Sequence, residues 1–382
     1  MSVDLSYILR IRRELHQIPE IGYELPKTLA VVRRELDAIG IPYTEQYGQS
    51  SIVATLNEGI GNKTIALRAD MDALPVLEET GLPYASIHPG VMHACGHDCH
   101  TAMLLGTAKA LKEMENQLTC CVKFVFQAAE ENLCGAKKIC DDGLMDHVDM
   151  ILGTHIYPDR PAGTIWLNRI CQYASNHRFS ITLKGKASHA SQPHNGVDAI
   201  AMGVRVFNDI QMMRARELDP SEPVVIGIGK FHGGNADNII CNQVEMHGTI
   251  RTINDTTDAF IFRRIEEIAV SVAKDMGGSA VVKSGVNYYP ALRNDQTLAA
   301  KVVESAAKVI GAENVREQPF AMVAEDFAYY AQEKPGVLFN FGVMPESGQW
   351  APLHNGSMCV NEAVLDLPPR IFIQFILDQM NK

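Results

Sequence analysis

The sequence predicts an α/β protein: a domain with a mostly parallel sheet flanked by helices, interrupted by an inserted ferredoxin-like βαββαβ domain. Three observations carry this. Aliphatic and β-branched runs of strand length alternate with segments of helical apolar spacing as far as about residue 175. The pattern then changes to strand, helix, strand, strand, helix, strand, an order that closes on itself as a unit. Strand and helix segments resume from about residue 290, and 382 residues, 46% of them hydrophobic, suffice for two cores. The expected division is 1–175 with 289–382 for the larger domain and 176–288 for the insert.

Residues 5–39 read as two helices, broken at Ile18-Pro19-Glu20-Ile21-Gly22 and stopped at Gly40. Ser51 to Leu56 and Thr64 to Leu67 are of strand type, and the second leads into Arg68-Ala69-Asp70-Met71-Asp72. The run Ala102, Met103, Leu104, Leu105, Ala108, Leu111 has helical spacing and follows the turn Cys95-Gly96-His97, with Asp98 as the expected N-cap. Strands at Cys121 to Phe126 and Met150 to Leu152 end in Gln127-Ala128-Ala129-Glu130-Glu131 and Gly153-Thr154-His155. Parallel sheets place ligands at the carboxyl ends of their strands. Asp70, Asp72, Glu130, Glu131 and His155 all fall at such ends. In the insert, His177 to Leu183 alternates; a helix near 196–215, strands near 223–231 and 241–252, a helix near 256–276 and a strand near 279–287 follow. Val337 to Val343 is a further strand, and a helix near 361–380 completes the larger domain.

A net charge of -11 without a long basic run argues against nucleic-acid binding and against attachment to an anionic membrane. The opening segment is amphipathic and charged throughout rather than a secretory signal, and no apolar run approaches a membrane span. Nine cysteines, an odd number at irregular spacings, do not form a disulfide framework. A reducing, cytoplasmic setting is expected.

Val91 to Thr101 packs three histidines and two cysteines into eleven residues, a concentration of imidazole and thiol donors suited to zinc-like ions. Taken alone, a structural zinc knuckle or a reactive thiol would account for it. Cys95, His97, Glu131, His155 and His354 together exceed one tetrahedral site, so two divalent ions are expected, with zinc, manganese, cobalt and nickel all compatible. Adjacent glutamates on an extended backbone point to opposite sides. Glu131 can then ligate while Glu130 acts as general base and later general acid on a water whose pKa a metal lowers to roughly 7. A solvated helix start is the alternative for this pair. Arg251 lies on the polar side of an alternating strand with Glu245, His247 and Thr249; a carboxylate clamp and an ordinary sheet-face arginine both fit. His189 by itself reads as a surface or structural histidine. His93 and His100 flank the ligand turn but are not needed as ligands, Cys99 reads as a small residue at a helix start, and Glu325 and Asp326 lie near the site without an assigned role.

Nine segments, in order along nearly the whole chain, resemble the M20 metallopeptidase family, specifically its amidohydrolase branch of hippurate hydrolases, N-acyl-amino-acid deacylases and auxin-conjugate hydrolases. They are Arg68 to Pro75, His93 to Asp98, Gln127 to Glu131, Gly153 to His155, Lys184 to Ala190, Gly233 to Asn238, Gly248 to Arg251, Ala324 to Phe327 and Leu353 to Asn355. The resemblance implies Cys95, His97, Glu131, His155 and His354 as ligands of a binuclear centre and Glu130 as the catalytic carboxylate. It implies His189 as the oxyanion-stabilising histidine and Asn238 and Arg251 as substrate-binding residues. Asp70 replaces a ligand histidine of the wider family and is not counted as a ligand; Asp72 is expected to orient one. The implied activity is metal-dependent hydrolysis of the linear amide of a small N-acyl amino acid to a carboxylic acid and a free amino acid. A dipeptidase or carboxypeptidase of the same family is the alternative, and a non-catalytic metal or small-ligand binding protein is the alternative of a different class. The insert is implied to act as a lid and to hold a homodimer together.

Overall fold

A computed structural model describes residues 3–380, which fall into two compact units. The first holds the chain up to Gln172, Arg293–Phe320 and the chain from Glu325 onward; the second holds Tyr173–Leu292 and Ala321–Ala324. Residues 1, 2, 381 and 382, which the expected larger domain includes, lie outside the described residues.

The first unit opens with α1 (Leu5–Gln17), α2 (Pro26–Ile39), β1 (Tyr43–Thr44), β2 (Ile52–Leu56), β3 (Thr64–Asp70) and α3 (His97–Glu113). It continues with β4 (Cys121–Gln127), α4 (Glu130–Leu133), α5 (Gly135–Asp141), β5 (Met150–Tyr157) and β6 (Ile165–Leu167). The second unit supplies β7 (His177–Lys184), α6 (Ala199–Arg216), β8 (Val224–Gly233), β9 (Gln243–Thr252), α7 (Asp255–Asp275) and β10 (Ser279–Ser284). The chain then gives the first unit α8 (Gln296–Ile310), β11 (Val315–Glu317), α9 (Ala328–Glu333), β12 (Gly336–Gly342) and α10 (Leu367–Met380).

The first unit is built on an eight-stranded sheet of order β1-β2-β4-β3-β5-β12-β6-β11. Its centre, β4-β3-β5-β12, is parallel throughout. These strands are buried on both faces, which explains their near-continuous apolar runs. Alternation divides them. Ile65, Leu67 and Ala69 of β3 and Val122, Phe124 and Phe126 of β4 enter a core shared with α1, α2, α3, α8 and α10. Arg68, Asp70 and Gln127, out of phase with that set, take the other face. The helix ends follow capping rules: Asp4 accepts from the Tyr7 N–H, Pro26 opens α2, and Gly40 closes it in the left-handed region.

The second unit has the sheet order β10-β7-β9-β8, antiparallel throughout, with α6 and α7 between the strands in sequence. This is the ferredoxin-like arrangement expected of a βαββαβ series. In β9, Val244, Met246, Gly248 and Ile250 are buried while Gln243, Glu245 and His247 are exposed, so one face covers the core and the other does not. Among the described residues, no helix is long and apolar enough to cross a membrane.

Two expectations need correction. His155 does not stand beyond the end of its strand, because parallel pairing with β12 carries β5 on to Tyr157. Asp98 is not an N-cap: Gly96 holds that position with φ of 81°, and Asp98 sits in the first turn of α3 with its carboxylate on Arg12 and His16.

Candidate metal centre

Donors that are far apart in sequence meet in the first unit. Cys95, His97 and His155 bring ligand atoms within 4.8 Å of one another, as do Cys95, Glu131 and His354, and His97, Glu130 and Glu131. The Cys95 thiol is 3.3 Å from His155 Nε2, His97 Nε2 is 3.8 Å from one Glu131 oxygen, and His354 Nε2 is 3.6 Å from the other. All but His354 have side chains that are mostly or wholly buried, whereas the His354 side chain is 54% exposed.

Local structure explains how each donor is placed. The Cys95-Gly96-His97 turn needs glycine at its centre, because a Cβ on Gly96 would lie 2.2 Å from Ile156 Cδ1 and φ is left-handed. Gly96→Ala is therefore expected to lower the unfolding free energy by at least about 1–2 kcal/mol, read from chemical denaturation. The two glutamates do not lie on extended backbone; they begin α4, a four-residue helix bracketed by left-handed Ala129 and Cys134. Asp72 holds that helix start from outside, its two oxygens accepting the N–H groups of Glu130 and Glu131 at 3.0 and 3.1 Å. His354 likewise has positive φ (64°), and its N–H donates to Ala94 O at 2.8 Å, which ties the late loop to the ligand turn. Such backbone outliers gather where surrounding structure fixes a functional side chain.

The hydrogen bonds also sort ligands from their neighbours. His155 Nδ1 is 2.8 Å from Ile156 O, which assigns its proton to Nδ1 and leaves the Nε2 lone pair facing the cluster, free to ligate a cation. His100 is committed elsewhere: Nδ1 lies 2.6 Å from Asp70, and Nε2 accepts the Ile156 N–H at 3.0 Å. The Asp70 oxygens are occupied by His100 and by Arg68 Nη1, both at 2.6 Å. His93 is buried without a hydrogen-bond partner for either ring nitrogen, and burial first of all drives its pKa down to about 3.

Electrostatics favour a cation in this cluster. Both ring nitrogens of His97 and one Glu131 oxygen are buried without hydrogen-bond partners. Burial and then Glu131 and Glu130 push the Cys95 thiol far up, and burial pushes Glu131 up to about 7 despite His97. Burial disfavours charge on His97, yet Asp70, Asp72 and Glu131 outweigh it and push the ring up to about 10. A divalent cation reverses this logic, since it deprotonates a coordinating thiol and satisfies the orphaned nitrogen and oxygen donors.

Against this geometry the comparisons with known proteins are direct. A family model described as peptidase family M20/M25/M40 matches residues 66–377. The chain belongs to that family. This M20 protein is accordingly a metal-dependent amidohydrolase, a hydrolase acting on amide bonds. Thermostable carboxypeptidase 1 of Saccharolobus solfataricus is 36% identical over 366 residues, covering 95% of this chain and 92% of its own. N-acetyl-L-cysteine deacetylase of Bacillus subtilis is 36% identical over 338 residues, 88% of this chain and 80% of its own. The crystal structure of the Bacillus subtilis YXEP protein, described as a dinuclear metal binding peptidase from the M20 family, matches with a TM-score of 0.86. It is 30% identical, and the match covers 99% of this chain and 98% of that one.

The remaining residues singled out from sequence belong to the second unit. His189 is exposed and pairs through the backbone with Ile239, while Asn238 O accepts the Ala190 N–H at 2.9 Å, so the two are neighbours. Arg251, on β9, donates to Met322 O at 3.0 Å. Sequence reasoning missed the buried network of Arg68, Gln127, Glu325 and Asp326, whose only signal was that these residues lie in motif segments.

Proposed function

We propose that this M20 hydrolase cleaves N-acyl amino acids to a carboxylic acid and a free amino acid at a binuclear centre. Cys95, His97, Glu131, His155 and His354 would hold two divalent ions, with zinc, manganese, cobalt and nickel all suited to the donor set. Asp72, 3.5 Å from His97 Nδ1, would orient that ring. Ions held there supply Lewis acidity, which polarises a carbonyl and makes water acidic. Glu130 carries the reading: it is a buried carboxylate beside the donors, and burial, followed by Glu325, Glu131 and Asp326, raises its proton affinity well above that of an ordinary glutamate. Such a group can accept a proton from water and return it to the leaving nitrogen.

His189 would stabilise the oxyanion, and Asn238 and Arg251 would bind the substrate's carboxylate or carbonyl. Among the described residues Arg251 has no carboxylate partner, which leaves its guanidinium available to an anionic substrate end. The likeness to a carboxypeptidase supports a second reading, in which the acyl group is itself a peptide. We further place the enzyme in the cytoplasm as a homodimer joined through the second unit, a stoichiometry that sizing in solution checks.

The deciding experiment is amine release from N-acetyl amino acids, hippurate and free dipeptides, after chelation and after return of each metal. Release from the N-acyl substrates only with metal is expected. Faster cleavage of free dipeptides would move the assignment to the second reading, and no release from any substrate would remove the catalytic one.

A further inference from the structure

Next to Glu130, three buried side chains close a ring of hydrogen bonds. Arg68 Nε donates to Gln127 Oε1 at 2.8 Å, Arg68 Nη2 to Asp326 Oδ1 at 2.9 Å, and Gln127 Nε2 to the two Asp326 oxygens at 2.9 and 2.8 Å. Asp326 Oδ2 also accepts the Ala136 N–H at the start of α5 at 2.9 Å. One carboxylate, with no exposed surface, is thereby tied to β3, β4 and α5. Its own backbone N–H donates to Glu130 Oε1 at 3.4 Å. The neighbouring Glu325 reinforces the segment, its Oε1 accepting from Arg68 Nη2 at 2.9 Å and from the Phe327 N–H at 3.1 Å.

We infer that Asp326 is a positioning residue for catalysis: its side chain anchors the peptide whose N–H holds the Glu130 carboxylate, and so fixes which way that carboxylate faces. The inference rests on Glu130 being the proton carrier. The demand on residue type is specific. Every group hydrogen-bonded to the Asp326 oxygens is a donor, so the position calls for a side chain that accepts at both oxygens, even with the Glu130 and Glu325 carboxylates within 4.8 Å. An asparagine has the same shape but turns an NH₂ toward the donors on one side, Gln127 and Ala136 or Gln127 and Arg68. A residue serving only to fill the core would not need four aimed acceptor contacts, and a buried charge is expensive unless such contacts satisfy it.

The test is Asp326→Asn made both in the wild-type protein and in Glu130→Asp, whose shortened carboxylate no longer reaches the Asp326 N–H. In the wild-type background kcat should fall on the order of 10–100-fold, the scale of a misplaced reacting group. KM should stay within about two-fold and the bound metal should be unchanged. In the Glu130→Asp background the further loss should be under about two-fold, because the contact is already broken. Wild-type kcat in Asp326→Asn, or the same factor lost in both backgrounds, overturns the inference in favour of a purely structural aspartate. Should Asp326→Asn not fold, Gln127→Met removes two donors from the same carboxylate at similar volume and is taken through the same cycle, with the same two outcomes. Full activity in Glu130→Gln would instead remove the reading on which the inference rests.

Discussion

Glu130→Gln is expected to lower kcat by about 10²–10⁴-fold, the usual weight of a positioned general acid–base. The amide keeps the size of the side chain and its ability to accept the Asp326 N–H, but it can neither take up nor release a proton at neutral pH. Metal content should be unchanged, since Glu130 lies beside the donor set while Glu131 reaches toward both His97 and His354. Unfolding should also be little altered, because the burial that raises the proton affinity of Glu130 means that a neutral amide costs less to bury than a carboxylate. The measurement is kcat and KM beside metal analysis of the same preparation. Activity within a factor of about three of wild type would transfer the proton to another group. Loss of metal together with activity would make Glu130 a ligand instead.

How far the sequence led depends on whether a feature is local. The strands β3, β4 and β12 were legible because burial on both faces leaves a near-continuous apolar run. The βαββαβ order of the second unit was legible because each element carries its own period. The donor residues stood out because cysteine and histidine concentrate in the short turn that opens α3 and two adjacent glutamates follow the end of β4. What failed were inferences about backbone shape over two or three residues. Glu130 and Glu131 were expected to diverge on extended chain, and instead left-handed Ala129 starts a helical turn there, with Asp72, just past the end of β3, accepting its first N–H groups. Asp98 looked like an N-cap from its place before an apolar run, but its partner Arg12 is 86 residues away. Asp326 and Arg68, separated by 258 residues, carried no local sign that they meet. Such long-range ion pairs have no periodicity to read.

That Arg12–Asp98 pair should also dominate stability. Arg12, 1% exposed, donates through Nε to Asp98 Oδ2 at 2.8 Å and through Nη1 to Tyr84 and Glu362 at 3.0 and 2.9 Å. His16 Nδ1 approaches the same Asp98 oxygen at 2.8 Å, and its Nε2 lies 3.2 Å from Glu78. Asp98→Ala leaves a buried guanidinium and a buried imidazole short of their shared anion, and is expected to cost about 3–5 kcal/mol in denaturant unfolding. The pH dependence follows from the two shifts. Burial opposes charge on Asp98, but Arg12 and His16 hold its carboxyl well below the ordinary range, so its contribution is complete above about 4 and fades as pH falls from there. Burial likewise opposes charge on His16, yet Asp98 and Glu78 raise it, so its contribution is complete below about 6.5 and fades as pH rises through the folded value. The stability difference between wild type and Asp98→Ala should therefore be largest between about pH 4 and 6.5 and shrink on both sides. A difference of the same size at every pH would mean that lost packing, rather than the charge on Asp98, holds α1 to the start of α3.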